Sequence, residues 1–230
     1  MRLIEPYYEI VHFPVDSLER IEIAARTCYK SEDLMCKGSA EVIARRLIRS
    51  GHLSMIEFGG VAHIKFYSNR AFTHQLVRHR LASFGQESAR WCNYAKDKFG
   101  NEITNISPDT MIPYIKKASA VQVYLDSMEK CFEFCEKHYM KMIKAGVPTQ
   151  LAREALNIGL KSEINIMANL REWRLIFKER CSRKASPRMR ELMIPLLLDF
   201  RDRIPGVFDD ILDQVEIGEL KKLDIEQEEV

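Results

Sequence analysis

No CxxC pair, GxGxxG turn, GxxxxGK[ST] loop or HExxH helix occurs in these 230 residues. Each absence excludes a class. Without the glycine fingerprint there is no Rossmann turn, and without the phosphate loop there is no P-loop nucleotidase. Any nucleotide must then be held by side chains and loop amides. No Cys/His spacing suits zinc, so no metal is expected. The six cysteines are Cys28, Cys36, Cys92, Cys131, Cys135 and Cys181. Cys131 and Cys135 fall one helical turn apart, a spacing that serves packing more often than ligation. All six read as reduced thiols of a cytoplasmic protein. No apolar run approaches the length of a membrane span. The opening MRLIEPYYEIVHF carries acids and lacks the apolar core of a secretory signal.

What is present is ordinary in bulk and uneven in detail. Hydrophobic residues make up 46% and charged residues 30%, the balance of a soluble globular chain. The net charge is only +2. Between Ser68 and Tyr94, however, four arginines face a single acid, Glu87. Between Arg171 and Arg190 there are eight Lys/Arg and two acids. From Asp209 to Val230 nine acids oppose two lysines. Two basic segments far apart in sequence form one positive site only if folding or assembly joins them.

The periodicity predicts an extended segment over 2–13, ahead of Pro14, and helices over 17–30 and 40–50. Asp16 or Ser17 is the expected cap of the first. Ala62, Ile64 and Phe66 alternate in a strand over 59–67. A helix over 69–80 would align Arg70, His74 and Arg78 on one face. Residues 81–93 read as a structured loop. A long amphipathic helix over 117–145 stops at Gly146, with Pro148 beyond. A short helix over 149–157, a strand over 164–167, a basic helix over 170–183 and a helix over 188–203 follow. Trp91, Trp173, Met140, Met142 and Met167 read as core, and Arg70 and Arg174 as solvated or ion-paired. The whole is expected to be one mixed domain over 1–215, with an acidic tail over 216–230.

The chemistry concentrates in RHRLASFGQESAR, where Arg78-His79-Arg80 is followed after seven residues by Ser88 and then Arg90. Arginine presents a fixed fork to phosphate oxygens and keeps its charge. Such a segment suits a ligand anionic at one end and hydrogen-bonded at the other, as a nucleotide is.

This pattern resembles the flavin-dependent thymidylate synthases, whose hallmark is RHR, seven residues, then Ser. ARTCYKSED (25–33), GHLSMIE (51–57), HQLVRHRLASFGQESARWCNY (74–94), GVPTQLARE (146–154) and NLREWRLIFKERCS (169–182) resemble the family's blocks, in order. The resemblance covers most of residues 20–210. It implies an α+β fold, mostly helical around a small, largely antiparallel sheet. It implies bound FAD, reduction by NADPH, and transfer of a one-carbon unit from 5,10-methylenetetrahydrofolate to C5 of dUMP. It also implies a homotetramer with sites between subunits, and neither nucleic acid nor membrane as partner.

Residue by residue, the resemblance assigns Ser54, Arg78, His79, Arg80, Gln86, Asn169 and Arg171 to the flavin. It assigns Gln75, Arg78, Gln86, Glu87, Ser88, Arg90, Arg153 and Arg180 to the nucleotide. Arg180 would stabilise charge as the uracil ionises, and Ser88 would lie close to the same chemistry. A nucleophilic serine needs a neighbouring base, and the sequence nominates none. Phe58, Trp91, Asn157, Leu175 and Ser186 depart from the family pattern, three of them where it has histidine. The altered contacts motivate a second reading, a paralogue that methylates or hydroxymethylates another pyrimidine nucleotide such as UMP. A third is a non-catalytic nucleotide or RNA binder using the basic segments, against which the acidic tail argues.

Overall fold

Asparagine ends two of the strands and starts the helix that follows each. Strand β3 (Val61–Asn69) runs into a helix at Arg70, and the Asn69 side chain accepts from Phe72 N at 3.0 Å. Strand β6 (Lys161–Asn169) runs into a helix at Leu170, and Asn169 accepts from Glu172 N at 2.8 Å. Each oxygen satisfies one backbone donor that a helix start leaves open.

The computed structural model describes residues 1–212 and 214–215. The expected acidic tail, 216–230, lies outside the described residues. In chain order the other elements are β1 (Arg2–Ile4), β2 (Tyr7–His12), α1 (Ser17–Tyr29) and α2 (Ser39–Arg49). After β3 come α3 (Arg70–Leu76), β4 (Ser83–Gln86), β5 (Thr104–Ile106), α4 (Ala118–Lys144) and α5 (Thr149–Ala152). After β6 come α6 (Leu170–Arg180) and α7 (Pro187–Arg203). The fold is mostly helical with two small sheets. One has the strand order β2-β3-β6-β4, and the other pairs β1 with β5 in parallel, Arg2 opposite Thr104.

The chain divides into two compact units. The first comprises Met1–Glu9, Lys65–Arg78 and Phe84–Asn165; the second comprises Ile10–Ile64, His79–Ser83 and the chain from Ile166 onward. The boundary falls inside the RHR motif, between Arg78 and His79.

In the first unit, Tyr94, Ile103, Tyr139, Ala152 and Leu160 form a buried cluster. The Tyr139 hydroxyl accepts from Tyr94 N at 3.3 Å, so even the polar end of this ring is used. Helix α4 contributes Phe132 and Tyr139, seven residues apart on one face. In the second unit Trp173, Phe177, Phe200 and Phe208 pack ring against ring, with centroids 5.0–5.8 Å apart. Trp173 Nε1 donates to the Ala62 carbonyl at 3.2 Å. This cluster is the floor beneath α6.

Several expectations need correction. Helix α3 ends at Leu76 rather than 80, so Arg78 does not continue the face of Arg70 and His74. The chain turns there, and His79 leaves the helical path to be buried against Arg180. The expected loop 81–93 holds β4, whose Ser-Phe-Gly-Gln has no apolar alternation to announce it; pairing with β6 makes it a strand. Strand β6 is longer than 164–167: Ser162, Ile164, Ile166 and Ala168 alternate inward along it, while the outward Lys161 and Glu163 pair at 2.7 Å. Trp91 is not core: it is 76% exposed, on a tight turn where its N–H donates to the Ser88 carbonyl. Its indole lies beside the Arg90 guanidinium, 5.0 Å from the ring centre. Met167 is also exposed, on the outward register of β6.

Candidate active site

Helix α6 organises the second unit's share of the expected site. Its start is fixed by the Asn169 cap, and its inner face (Trp173, Ile176, Phe177) is sunk in the aromatic cluster. Two cavities flank it. One, of about 550 Å³, is lined by Leu53, Leu81, Asn169, Arg171, Leu175 and Lys178 among others. The second, of about 400 Å³, is lined by Tyr29, His52, Ser54 and Arg171 among others. Arg171 belongs to both, and its guanidinium donates to Glu57 at 2.6 Å. Both ends of that pair are roughly half exposed, so an incoming anion can compete for Arg171 at small cost. Thus Arg171 shares one cavity with Ser54 and the other with Asn169.

At the C-terminal end of α6, Arg180 Nε donates to His79 Nε2 at 2.9 Å. An arginine can only donate, so this contact suits a His79 Nε2 that carries a lone pair rather than a proton. Burial lowers the His79 pKa, and the Arg180 charge lowers it further against the opposing pull of Glu179. His79 is 5% exposed; its Nδ1 faces Glu172 Oε1 at 3.6 Å. Glu172 is equally buried, and burial, helped by Glu179, raises its pKa. The Arg180 terminal nitrogen Nη2 lies 3.5 Å from the half-exposed Glu179. Arg80, between the two groups in sequence, is exposed.

The first unit holds the other expected residues. Gln86 Nε2 donates to Thr73 Oγ1 and to Ser162 Oγ, each at 3.0 Å. Glu87 Oε1 accepts from the Tyr94 hydroxyl at 3.0 Å, and Oε2 accepts from Lys161 Nζ at 3.0 Å. Both oxygens are therefore committed to the scaffold, and they pin the loop that carries Ser88. The Ser88 hydroxyl accepts from Arg90 N at 3.3 Å, and among the described residues no acid or imidazole activates it. Gln75 spends its amide on the Ala71 carbonyl. Arg78, Arg90 and Arg153 are exposed, and none makes an ion pair among the described residues. These exposed guanidiniums, that of Arg90 resting on Trp91, suit an anionic ligand.

Sequence reasoning missed two features. One is Glu172, hidden because it reads as an ordinary acid in the first turn of a helix. The other is a cavity of about 450 Å³ in the first unit, with Tyr7, Tyr67, Tyr94, Phe99 and Lys161 in its walls. The outward alternation Lys65/Tyr67 on β3 and Lys161/Glu163 on β6 was its available signal.

The donor set of α6 fits a flavin dinucleotide. Arg171 and Lys178 can meet a pyrophosphate, with the carboxylates of Glu57 and Glu172 in the same wall, while Leu53, Leu81 and Leu175 offer apolar walls to a flat ring. Residues 9–206 match the family model described as thymidylate synthase complementing protein (Thy1).

The chain belongs to the Thy1 family.

Among curated Thy1-type relatives, the flavin-dependent thymidylate synthase of Geobacter sulfurreducens is 28% identical over 205 residues, covering 86% of this chain and 83% of that protein. That of Pyrococcus furiosus is 28% identical over 200 residues, covering 84% and 78%. Among solved structures, the UMP/dUMP methylase PolB from Streptomyces cacaoi, bound with 5-Br dUMP, superposes with a TM-score of 0.78 at 20% identity. That match covers 91% of this chain and 96% of PolB. It establishes the shared fold. Family membership makes this a methyltransferase-type flavoprotein.

Proposed function

We propose that this Thy1 chain is a flavin-dependent thymidylate synthase. It moves a one-carbon unit from 5,10-methylenetetrahydrofolate to C5 of dUMP, with FAD reduced by NADPH, and yields dTMP. The observation that carries the reading is the 2.9 Å bond from Arg180 to His79, which joins the RHR motif to the later basic helix. Bound flavin would supply the hydride chemistry.

The chain's own residues do the rest. Arg78, Arg90 and Arg153 hold the nucleotide phosphate through charge-assisted hydrogen bonds. Arg180, 18% exposed, offers a fixed cation where negative charge develops on the uracil as C5 becomes nucleophilic. In so dry a place that cation acts at a lower effective dielectric than in water. Ser54, Arg80, Gln86, Asn169 and Arg171 serve the flavin, Gln75 and Ser88 serve the nucleotide, and Glu87 serves it by pinning the Ser88 loop. Ser88 acts as a hydrogen-bonding group rather than a nucleophile, since it has no base. The working enzyme is a homotetramer whose sites combine residues of neighbouring subunits.

The test is direct. Purified protein should be yellow and should oxidise NADPH only with dUMP and methylenetetrahydrofolate, releasing a product of dTMP mass. Colourless protein that turns over no dUMP after reconstitution with FAD would refute the reading.

A second reading has its own support. Phe58 and Leu175, where the family pattern has histidine, are both about half exposed, and Leu175 lines the larger α6 cavity. An apolar rim there would change which pyrimidine is accepted, and PolB is described as acting on both UMP and dUMP. Parallel assays with UMP and dUMP separate the two.

A further inference from the structure

We propose that Glu172 is a positioning residue. By facing Nδ1 of His79 it holds that imidazole in the one tautomer able to accept from Arg180, and so fixes the Arg180 guanidinium for substrate. The proposal rests on the functional reading above for its kinetic arm, and on geometry alone for its spectroscopic arm.

His79 stands between the other two side chains in a chain of contacts. Glu172 Oε1 is 3.6 Å from His79 Nδ1, and His79 Nε2 is 2.9 Å from Arg180 Nε. Glu172 and His79 are each 5% exposed, so water does not choose the tautomer for them. A neutral imidazole carries one N–H and one lone pair, and the two tautomers exchange them. With the proton on Nε2, that nitrogen would confront the Arg180 N–H donor to donor. With it on Nδ1, the N–H points at a carboxyl oxygen and the lone pair at the guanidinium. The arrangement follows the logic by which a carboxylate behind a metal-ligating histidine sets which nitrogen is free. A carboxyl keeps an acceptor oxygen whether ionised or protonated, so the device survives the raised pKa of Glu172.

The backbone supplies the precision. The Asn169 cap holds Glu172 N at 2.8 Å, in the first turn of α6, and Arg180 is the last residue of the same helix. His79 thus receives both partners from one rigid element. The charged groups around it are Arg180, Glu172 and Glu179. Farther along α6 stand Arg171, paired with Glu57 of the 53–59 turn, Arg174, paired with Asp210, and Lys178.

The experiment compares wild type, E172Q and E172A as full-length holoprotein. Long-range ¹H–¹⁵N spectra of the imidazole read the tautomer. Wild type and E172Q should show a protonated Nδ1 and a bare Nε2 for His79, since an amide oxygen can still face Nδ1. E172A should show a mixture or the reverse. On the same samples, E172A should lose roughly tenfold or more in kcat for the pyrimidine substrate, at nearly unchanged KM for methylenetetrahydrofolate, and E172Q should recover most of it. An unchanged tautomer in E172A overturns the proposal, as does E172Q falling with E172A while both keep wild-type melting. If E172A does not fold, the wild-type spectrum and E172Q decide alone: a proton on Nε2 in wild type refutes the assignment. If wild type turns over neither dUMP nor UMP while the tautomers behave as stated, the functional reading fails and the positioning role of Glu172 stands.

Discussion

Lys161 and Glu87 lie 74 residues apart in sequence and 3.0 Å apart in space. Lys161 Nζ also reaches Glu163 Oε1 at 2.7 Å, and Lys65 Nζ reaches Glu163 Oε2 at 2.7 Å. Two lysines and two carboxylates therefore alternate, and the chain ends at the loop that carries Ser88. The network sets that loop's position.

Acid should loosen it. Burial works to raise the Glu163 pKa, but hydrogen bonds from Lys161 and Lys65 prevail and hold it below the ordinary carboxylate value. A depressed folded pKa contributes stability above the unfolded value, near ~4.3, and loses it as pH falls through the folded one. Urea midpoints should therefore drop below about pH 4. In Glu163→Gln that part of the acid dependence should be flatter; identical profiles would show that the network does not couple to folding.

Tyr94→Phe removes the donor to Glu87 Oε1 and leaves the rest of a buried ring in place. A lost hydrogen bond to a charged partner costs ~1.5–3 kcal/mol. Chemical denaturation should read a loss in that range, with the Km for dUMP rising as the Ser88 loop loosens.

Gly159→Ala should be costly for a steric reason. A Cβ there would stand 2.6 Å from Phe132 Cε1 and 2.8 Å from Cζ, and that ring is buried in α4's contact face. Forcing such a group into a packed site costs ~1–3 kcal/mol. A melting temperature equal to wild type would mean that α4 yields more easily than its burial implies.

Arg180→Lys keeps the charge but loses the Nε–H that meets His79. Flavin content should be unchanged and kcat should fall roughly a hundredfold, the scale of a lost transition-state donor. Equal turnover in mutant and wild type would defeat the role given to Arg180. Arg171→Ala supplies the contrast: flavin absorbance per mole of protein should fall.

Much of this was legible in the sequence, for identifiable reasons. Helix α4 was readable to within a residue because its stop, Gly146, sits at φ +86°, which few other residues tolerate. The starts of α3 and α6 are read from the sequence to within a residue, but their asparagine caps, Asn69 and Asn169, are not. Illegible were the features created by pairing. Strand β4 exists because β6 accepts it, and the turn after Leu76 exists because His79 has a partner 101 residues away. Trp91 misled because its size suggests burial, while a turn from Ser88 decides its direction. Glu172 carries no mark at all, since an acid in the first turn of a helix is already explained by the helix dipole.

Cys181 follows Arg180 directly and is 1% exposed, and burial pushes its thiol pKa up to about 12. The reactive thiolate is then nearly absent at neutral pH. Cys28, Cys36 and Cys131 are exposed. A maleimide fluorophore should accordingly react at Cys28, Cys36 and Cys131 and spare Cys181, and because Cys28 lines the smaller α6 cavity, a ligand there should protect it. The rate of labelling at Cys28 then reports occupancy of that cavity without a cysteine-free background having to be built first.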